Sequence, residues 1–76
     1  MNFAKWIHVK VQGWKGLATI LVPNHTTVTE FKSMLGLEIY ETVNVPASFL
    51  PLHDESNLYD YVDEFDTVSV ERQLPI

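Results

Sequence analysis

Thr27-Val28-Thr29-Glu30 has the pattern of a helix start. A threonine hydroxyl there accepts from the backbone N–H three residues on, and the glutamate reaches back to the cap. Gly36 supplies the matching stop, because glycine enters the left-handed conformation of a helix C-terminus without steric penalty. Only about nine residues lie between the two signals, too few for a helix to stand alone in water. Val28, Phe31 and Leu35 share one face with Met34 beside them, while Thr29, Glu30, Lys32 and Ser33 fall outside. A short helix with a single apolar stripe needs a sheet to lie on, and that need decides most of what this chain can become.

The segment before it supplies strands. Ile7, Val9 and Val11 are separated by His8 and Lys10, the period of two expected of a strand with one buried face. Gly13-Trp14-Lys15-Gly16 is a glycine-bracketed turn, and residues 17–22 (LATILV) form a second strand ended by Pro23-Asn24, which together predict an antiparallel hairpin. The facing of the second strand stays open: either Leu17, Thr19 and Leu21 point inward, or Ala18, Ile20 and Val22 do. After Gly36 the β pattern returns over residues 40–45, with Val43 and Val45 in alternation, and ends at Pro46. Residues 46–51 are proline-bounded and irregular, with Phe49 and Leu50 placed to tuck under the core. Leu52 opens a further short segment, residues 53–57 form a polar turn, and residues 58–61 read as one tight helical turn. Residues 66–71 close the pattern as a strand with Val68 and Val70 inward. One helix against a four- to five-stranded mixed sheet, in the order β-β-α-β-turn-β, is the α+β arrangement of a β-grasp domain spanning residues 1–76.

Composition agrees with one small folded domain. The chain has 76 residues, 46% apolar and 20% charged. Cysteine is absent, which excludes disulfides and thiolate-bound zinc. The opening Met1-Asn2-Phe3-Ala4-Lys5 lacks a signal peptide's apolar run, and no stretch approaches the roughly 18 residues of a membrane span, so a cytoplasmic, intracellular location is expected. The net charge of −5 is unevenly distributed. Residues 1–38 carry four Lys against two Glu, whereas residues 39–76 carry one Arg against eight acids, six of them from Asp54 to Asp66. Such a balance argues against docking on nucleic acid or anionic lipid.

Catalytic chemistry has no visible carrier. Gly13 and Gly16 lack the lysine and hydroxyl context of a phosphate loop. His8, His25 and His53 lie on separate elements without ligand spacing, and His8 reads as a solvated residue on the outer face of its strand. The acids from Asp60 to Asp66 lack the ligand spacing and central glycine of a calcium loop. No enzyme activity, cofactor or metal is expected.

The residues do resemble a family. Residues 27–35 (TVTEFKSML) resemble the helix of ubiquitin-like domains, and residues 52–61 (LHDESNLYDY) are similar to the leucine, acidic turn and Leu-x-Asp-Tyr run of ubiquitin. Thr67-Val68-Ser69-Val70 matches the last strand. The resemblance covers most of the chain. It implies that Tyr61 bonds nearby backbone through its hydroxyl while its ring joins the core, that Leu58 is core, and that Asp60 caps or braces the turn.

Three departures shape the functional expectation. Conjugated modifiers and sulfur carriers of this family end in Gly-Gly, whereas this sequence ends Gln73-Leu74-Pro75-Ile76. Ubiquitin's apolar recognition patch is interrupted: Trp14 stands at the turn position, but Asn44 and Glu71 occupy the other two. The four lysines all lie in the first 32 residues, and only Lys32 follows the family pattern. The expected protein is therefore a non-conjugated, monomeric interaction module that binds another protein, not nucleic acid or membrane, through its hairpin and sheet face. Trp14, Lys15, Ile20, Asn44 and Glu71 are its candidate contacts, and Trp6 is expected to be buried against the last strand. Two other readings stand beside it: a small acidic inhibitor of viral or phage type occupying a nucleic-acid-binding protein, and a truncated modifier or sulfur-carrier precursor.

Overall fold

The computed structural model describes residues 5–13, 16–38 and 40–72. Alternating valines and isoleucine give β1 (Trp6–Gly13), which pairs antiparallel with β2 (Gly16–Pro23). Helix α1 (Val28–Leu35) follows, then β3 (Glu41–Asn44), a 3₁₀ turn (Leu58–Asp60) and β4 (Thr67–Arg72). The sheet order is β2-β1-β4-β3, with β4 parallel to β1 and antiparallel to β3. Four strands form among the described residues, within the four to five expected. The segment opened by Leu52 meets β3 through the Leu52 N–H, which donates to the Val43 carbonyl at 2.9 Å.

Both helix signals act as the sequence implies. The Glu30 N–H donates to Thr27 Oγ1, and the Thr27 N–H donates to Glu30 Oε1, each at 3.2 Å. At the other end Gly36 takes φ 68°, and the Leu37 and Gly36 amides return to the Lys32 and Ser33 carbonyls. Two further amides at the helix start, which lack partners within the helix, are satisfied from the acidic turn: Val28 by the Ser56 carbonyl and Thr29 by that of Asp54. Asp54 also accepts from Lys32 Nζ at 2.8 Å. Lys32 is thus buried, not on the outer helix face as its spacing suggested, while Met34 is exposed. The turn of residues 53–56 lies over that side of α1, and the lysine stem packs beneath it with its charge on Asp54.

The core is built from Ile7, Val9, Val11 and Val22 of the hairpin, Val28 and Phe31 of the helix, and Val43, Val68 and Val70 of the other strands, closed by Leu52, Leu58 and Tyr59. The open facing of β2 resolves with Ile20 and Val22 inward. Glu41 is also buried, at the start of β3, where its carboxylate accepts from the Glu38 N–H at 2.7 Å.

Three expectations change here. Tyr59, not Tyr61, carries the buried ring, and its hydroxyl donates to the Val22 carbonyl. Tyr61 is exposed, one step around the 3₁₀ turn. The cap of that turn is Asn57, whose Oδ1 accepts from the Tyr59 N–H at 3.1 Å, and Asp60 is exposed. Phe49 and Leu50 stand in solvent, because Val45 and Leu52 on either side of the loop already fill the core beneath it.

Tyr59→Phe should therefore destabilise the fold by about 1–2 kcal/mol in urea titration, since the buried Val22 carbonyl loses its donor, while Tyr61→Phe changes nothing measurable. Burial also raises the Tyr59 pKa above its ordinary value of 10.0. The folded state then holds the phenolic proton more tightly than the unfolded one. This contribution is complete below pH 10.0 and is lost as pH rises through the higher folded value.

Candidate functional site

With Ile7, Val9 and Val11 facing the core, β1 directs Trp6, His8, Lys10 and Gln12 to the opposite face of the sheet. The register places Pro23 beside Trp6, Leu21 beside His8 and Thr19 beside Lys10. Trp6 is 54% exposed and Leu21 47%. The expected burial of Trp6 against the last strand fails because β4 pairs with β1 only from Lys10 to Gly13, leaving no strand among the described residues on that side of Trp6.

The fourth member of the cluster comes from the turn before β4. The Asp63 N–H donates to Asp66 Oδ2 at 2.9 Å and the Asp66 N–H returns to the Asp63 carbonyl at 3.1 Å, closing a turn in which Phe65 adopts φ 62°. A bulky residue is rare in that left-handed region, where the Cβ crowds the carbonyl. Here the conformation is held from both sides: the Phe65 N–H donates to the His8 carbonyl at 2.7 Å, and the Lys10 N–H donates to the Asp66 carbonyl at 2.9 Å. The outcome is an aromatic ring, 53% exposed, stacked on His8 with centroids 5.0 Å apart and planes 11° apart. Lys10 Nζ stands 5.9 Å from the same ring.

His8 is braced from beneath. Its N–H donates to Glu64 Oε1 at 2.5 Å, and its Nδ1 is 2.7 Å from the same oxygen, which places the ring proton on Nδ1 because the carboxylate only accepts. The His8 backbone N–H is the main cause holding the Glu64 carboxyl below its ordinary value of 4.5, with the His8 side chain adding to it. A depressed folded value means that this contribution is complete above 4.5 and drains away as pH falls through the lowered value. Glu64→Gln should accordingly flatten the acid limb of stability against pH, read by thermal melts across that range.

Of the residues singled out in the sequence, Trp14 and Lys15 lie outside the described residues. Ile20 packs against the core and shows only part of its side chain, so the exposed large apolar members of β2 are Leu17 and Leu21. Asn44 and Glu71 do share the outer face, opposite Ser69 and Thr42 respectively, but on β3 and β4, across the sheet from Trp6. Asn44 is half-buried, with Nδ2 donating to Thr42 Oγ1 at 3.4 Å, and Glu71 is exposed. Sequence reasoning missed Phe65 and the engagement of His8. The available signal was an aromatic inside the acidic turn Asp63-Glu64-Phe65-Asp66, where turn chemistry gives it no place.

The acidic segment is partly committed to the fold. Asp54 binds Lys32, Glu64 binds His8, and Asp66 accepts from the Asp63 amide. Among the described residues no group of three or more metal-ligating side chains converges, and no helix is long and apolar enough to cross a membrane.

A capped helix laid on a mixed sheet ordered β2-β1-β4-β3, with a 3₁₀ turn leading back toward the last strand, is the ubiquitin-like β-grasp fold. The solved structures it is similar to include the ubiquitin-like domain of an Arabidopsis thaliana protein, at 25% identity and TM-score 0.69, covering 92% of this chain and 80% of that one. The C-terminal ubiquitin-like domain of mouse tubulin-specific chaperone e matches at 15% identity and TM-score 0.70, over 100% of this chain and 95% of that one. A third, from a structure described as molecular mimicry of SUMO that promotes DNA repair, matches at 16% identity and TM-score 0.64, over 91% and 94%. No protein-family model matches the sequence, and neither does any curated protein.

Proposed function

We propose that this chain is a non-catalytic ubiquitin-like module that binds another protein without covalent attachment, through the outer face of its β1–β2 hairpin. The observation that carries this reading is the group formed by Trp6, Leu21 and Phe65 around His8, three large apolar side chains each about half exposed on one face. Tryptophan and other aromatics dominate binding energy where they are rigidly presented, and an apolar group edged by charge is the usual form of a protein contact. Glu64 and Lys10 provide that edge and orient the approach of a partner.

The test is capture on immobilised chain followed by titration of the captured protein. Trp6→Ala and Leu21→Glu should each weaken binding by about tenfold or more, and Phe49→Ser, on an exposed loop outside the group, should leave it unchanged. Equal binding by all three variants overturns the assignment of this face. The acidic-inhibitor reading makes the opposite prediction for salt: its affinity falls steeply with ionic strength, whereas an apolar contact holds.

A further inference from the structure

Strand β2 is one edge of the sheet, and among the described residues its backbone pairs with β1 alone. Half of its amide and carbonyl groups therefore point away from the sheet, toward solvent. Natural edge strands are ordinarily blunted by lysine, proline or a bulge, or kept short. This one runs eight residues, has no charged residue from Gly16 to Pro23, and meets proline only at its last position. Leu17 is 71% exposed beside it.

The sequence of that edge reads nearly the same in both directions. Leu17-Ala18-Thr19-Ile20-Leu21 is symmetric about Thr19 apart from the exchange of Ala18 and Ile20. We propose that β2 pairs antiparallel with β2 of a second copy about a two-fold axis at Thr19, joining two four-stranded sheets into one of eight strands. Leu17 then lies opposite the second copy's Leu21 on the outer face, and Thr19 opposite Thr19. Ala18 meets Ile20 on the inner face, a small residue against a large one. Aliphatic pairs and a Thr–Thr pair are favourable cross-strand neighbours, and no like charges meet. A shift of one residue in register would set outer-face residues against inner-face ones, and a shift of two would set Leu21 against Thr19; either loses that match.

Charge and symmetry agree with the arrangement. β4 lies two strand spacings from β2, so the two β4 strands and the acidic turns leading into them stand about 24 Å apart, well beyond the roughly 8 Å over which charge acts in physiological salt. Each copy has one β2 edge and the two-fold axis uses both, so assembly stops at the dimer. An interface of one strand pair is small, which makes the dimer weak and concentration-dependent. The proposal departs from the expectation of a monomer and does not rest on the outer-face docking site.

Sedimentation equilibrium from about 10 μM to about 1 mM should show the mass rising from 8.7 kDa toward twice that value. Thr19→Glu keeps the fold, because Thr19 is exposed and faces Lys10 across the hairpin, but it sets two carboxylates against each other on the axis. Association should fall by about tenfold or more, and mixing Thr19→Glu with Thr19→Lys chains should restore it. Since the chain has no cysteine, Thr19→Cys gives a second readout: mild oxidation should join two copies at that position. A native chain of constant monomeric mass, together with a Thr19→Cys chain that fails to cross-link, overturns the proposal. So does a dimer indifferent to Thr19→Glu, growth past the dimer, or an edge filled only by an extended segment of a different protein.

Discussion

Phe31→Ala should leave the purified chain largely unfolded at physiological temperature, with the cooperative thermal transition lost in far-UV circular dichroism. Phe31 is fully buried and is the largest side chain that the helix places in the core. Truncating a buried phenylalanine to alanine costs about 3–5 kcal/mol, the lost transfer energy plus that of the cavity left behind. A domain of 76 residues holds only about 4–11 kcal/mol in total. The loss takes about half of that margin at mid-range and all of it at the low end, and the helix has few other anchors. Of its eight residues only Val28, Phe31 and Lys32 are buried, and a helix this short does not survive detachment from the sheet. Phe31→Leu, which preserves most of the volume, should retain a cooperative melt at a lower temperature. A native-like melt for Phe31→Ala would mean that the helix is not what closes the core.

The elements that local rules govern are legible in the amino-acid sequence. The cap at Thr27, the stop at Gly36 and the period-two strands depend on neighbours within a few residues, and each forms as its pattern implies. Most of the readings that changed depend on what arrives from a distance. Lys32 looks solvent-facing by helical spacing, but the turn bearing Asp54 comes 22 residues later and covers it. Tyr59 and Tyr61 are separated by one residue, and which ring is buried is decided by the Val22 carbonyl, 37 residues away on the hairpin. Trp6 belongs to a good strand, and its exposure follows from where β4 stops pairing with β1. The candidate site is the hardest case, since His8, Glu64 and Phe65 meet across more than 50 residues of sequence.

Phe65→Gly should weaken partner binding by about thirtyfold while leaving the melting temperature nearly unchanged, and that combination separates a docking residue from a structural one. Left-handed backbone at a phenylalanine costs about 1–2 kcal/mol, which glycine does not incur. Against that gain stands the loss of the ring's contacts with His8 and Lys10, about 0.5–1 kcal/mol each at exposed sites, together with glycine's extra chain entropy. The terms nearly cancel, so thermal unfolding moves little. Binding has no such compensation. A half-exposed ring held in one orientation is worth about 2 kcal/mol or more at the centre of a contact, roughly thirtyfold in affinity. Phe65→Leu completes the comparison, because it keeps the backbone strain and loses the aromatic face. It should melt lower than Phe65→Gly and bind only slightly better. Were Phe65 merely a turn residue, glycine would leave affinity alone. A strained aromatic held in the open, where glycine would serve the fold equally well, brings no net stability, and the proposed docking role is what such a ring would serve.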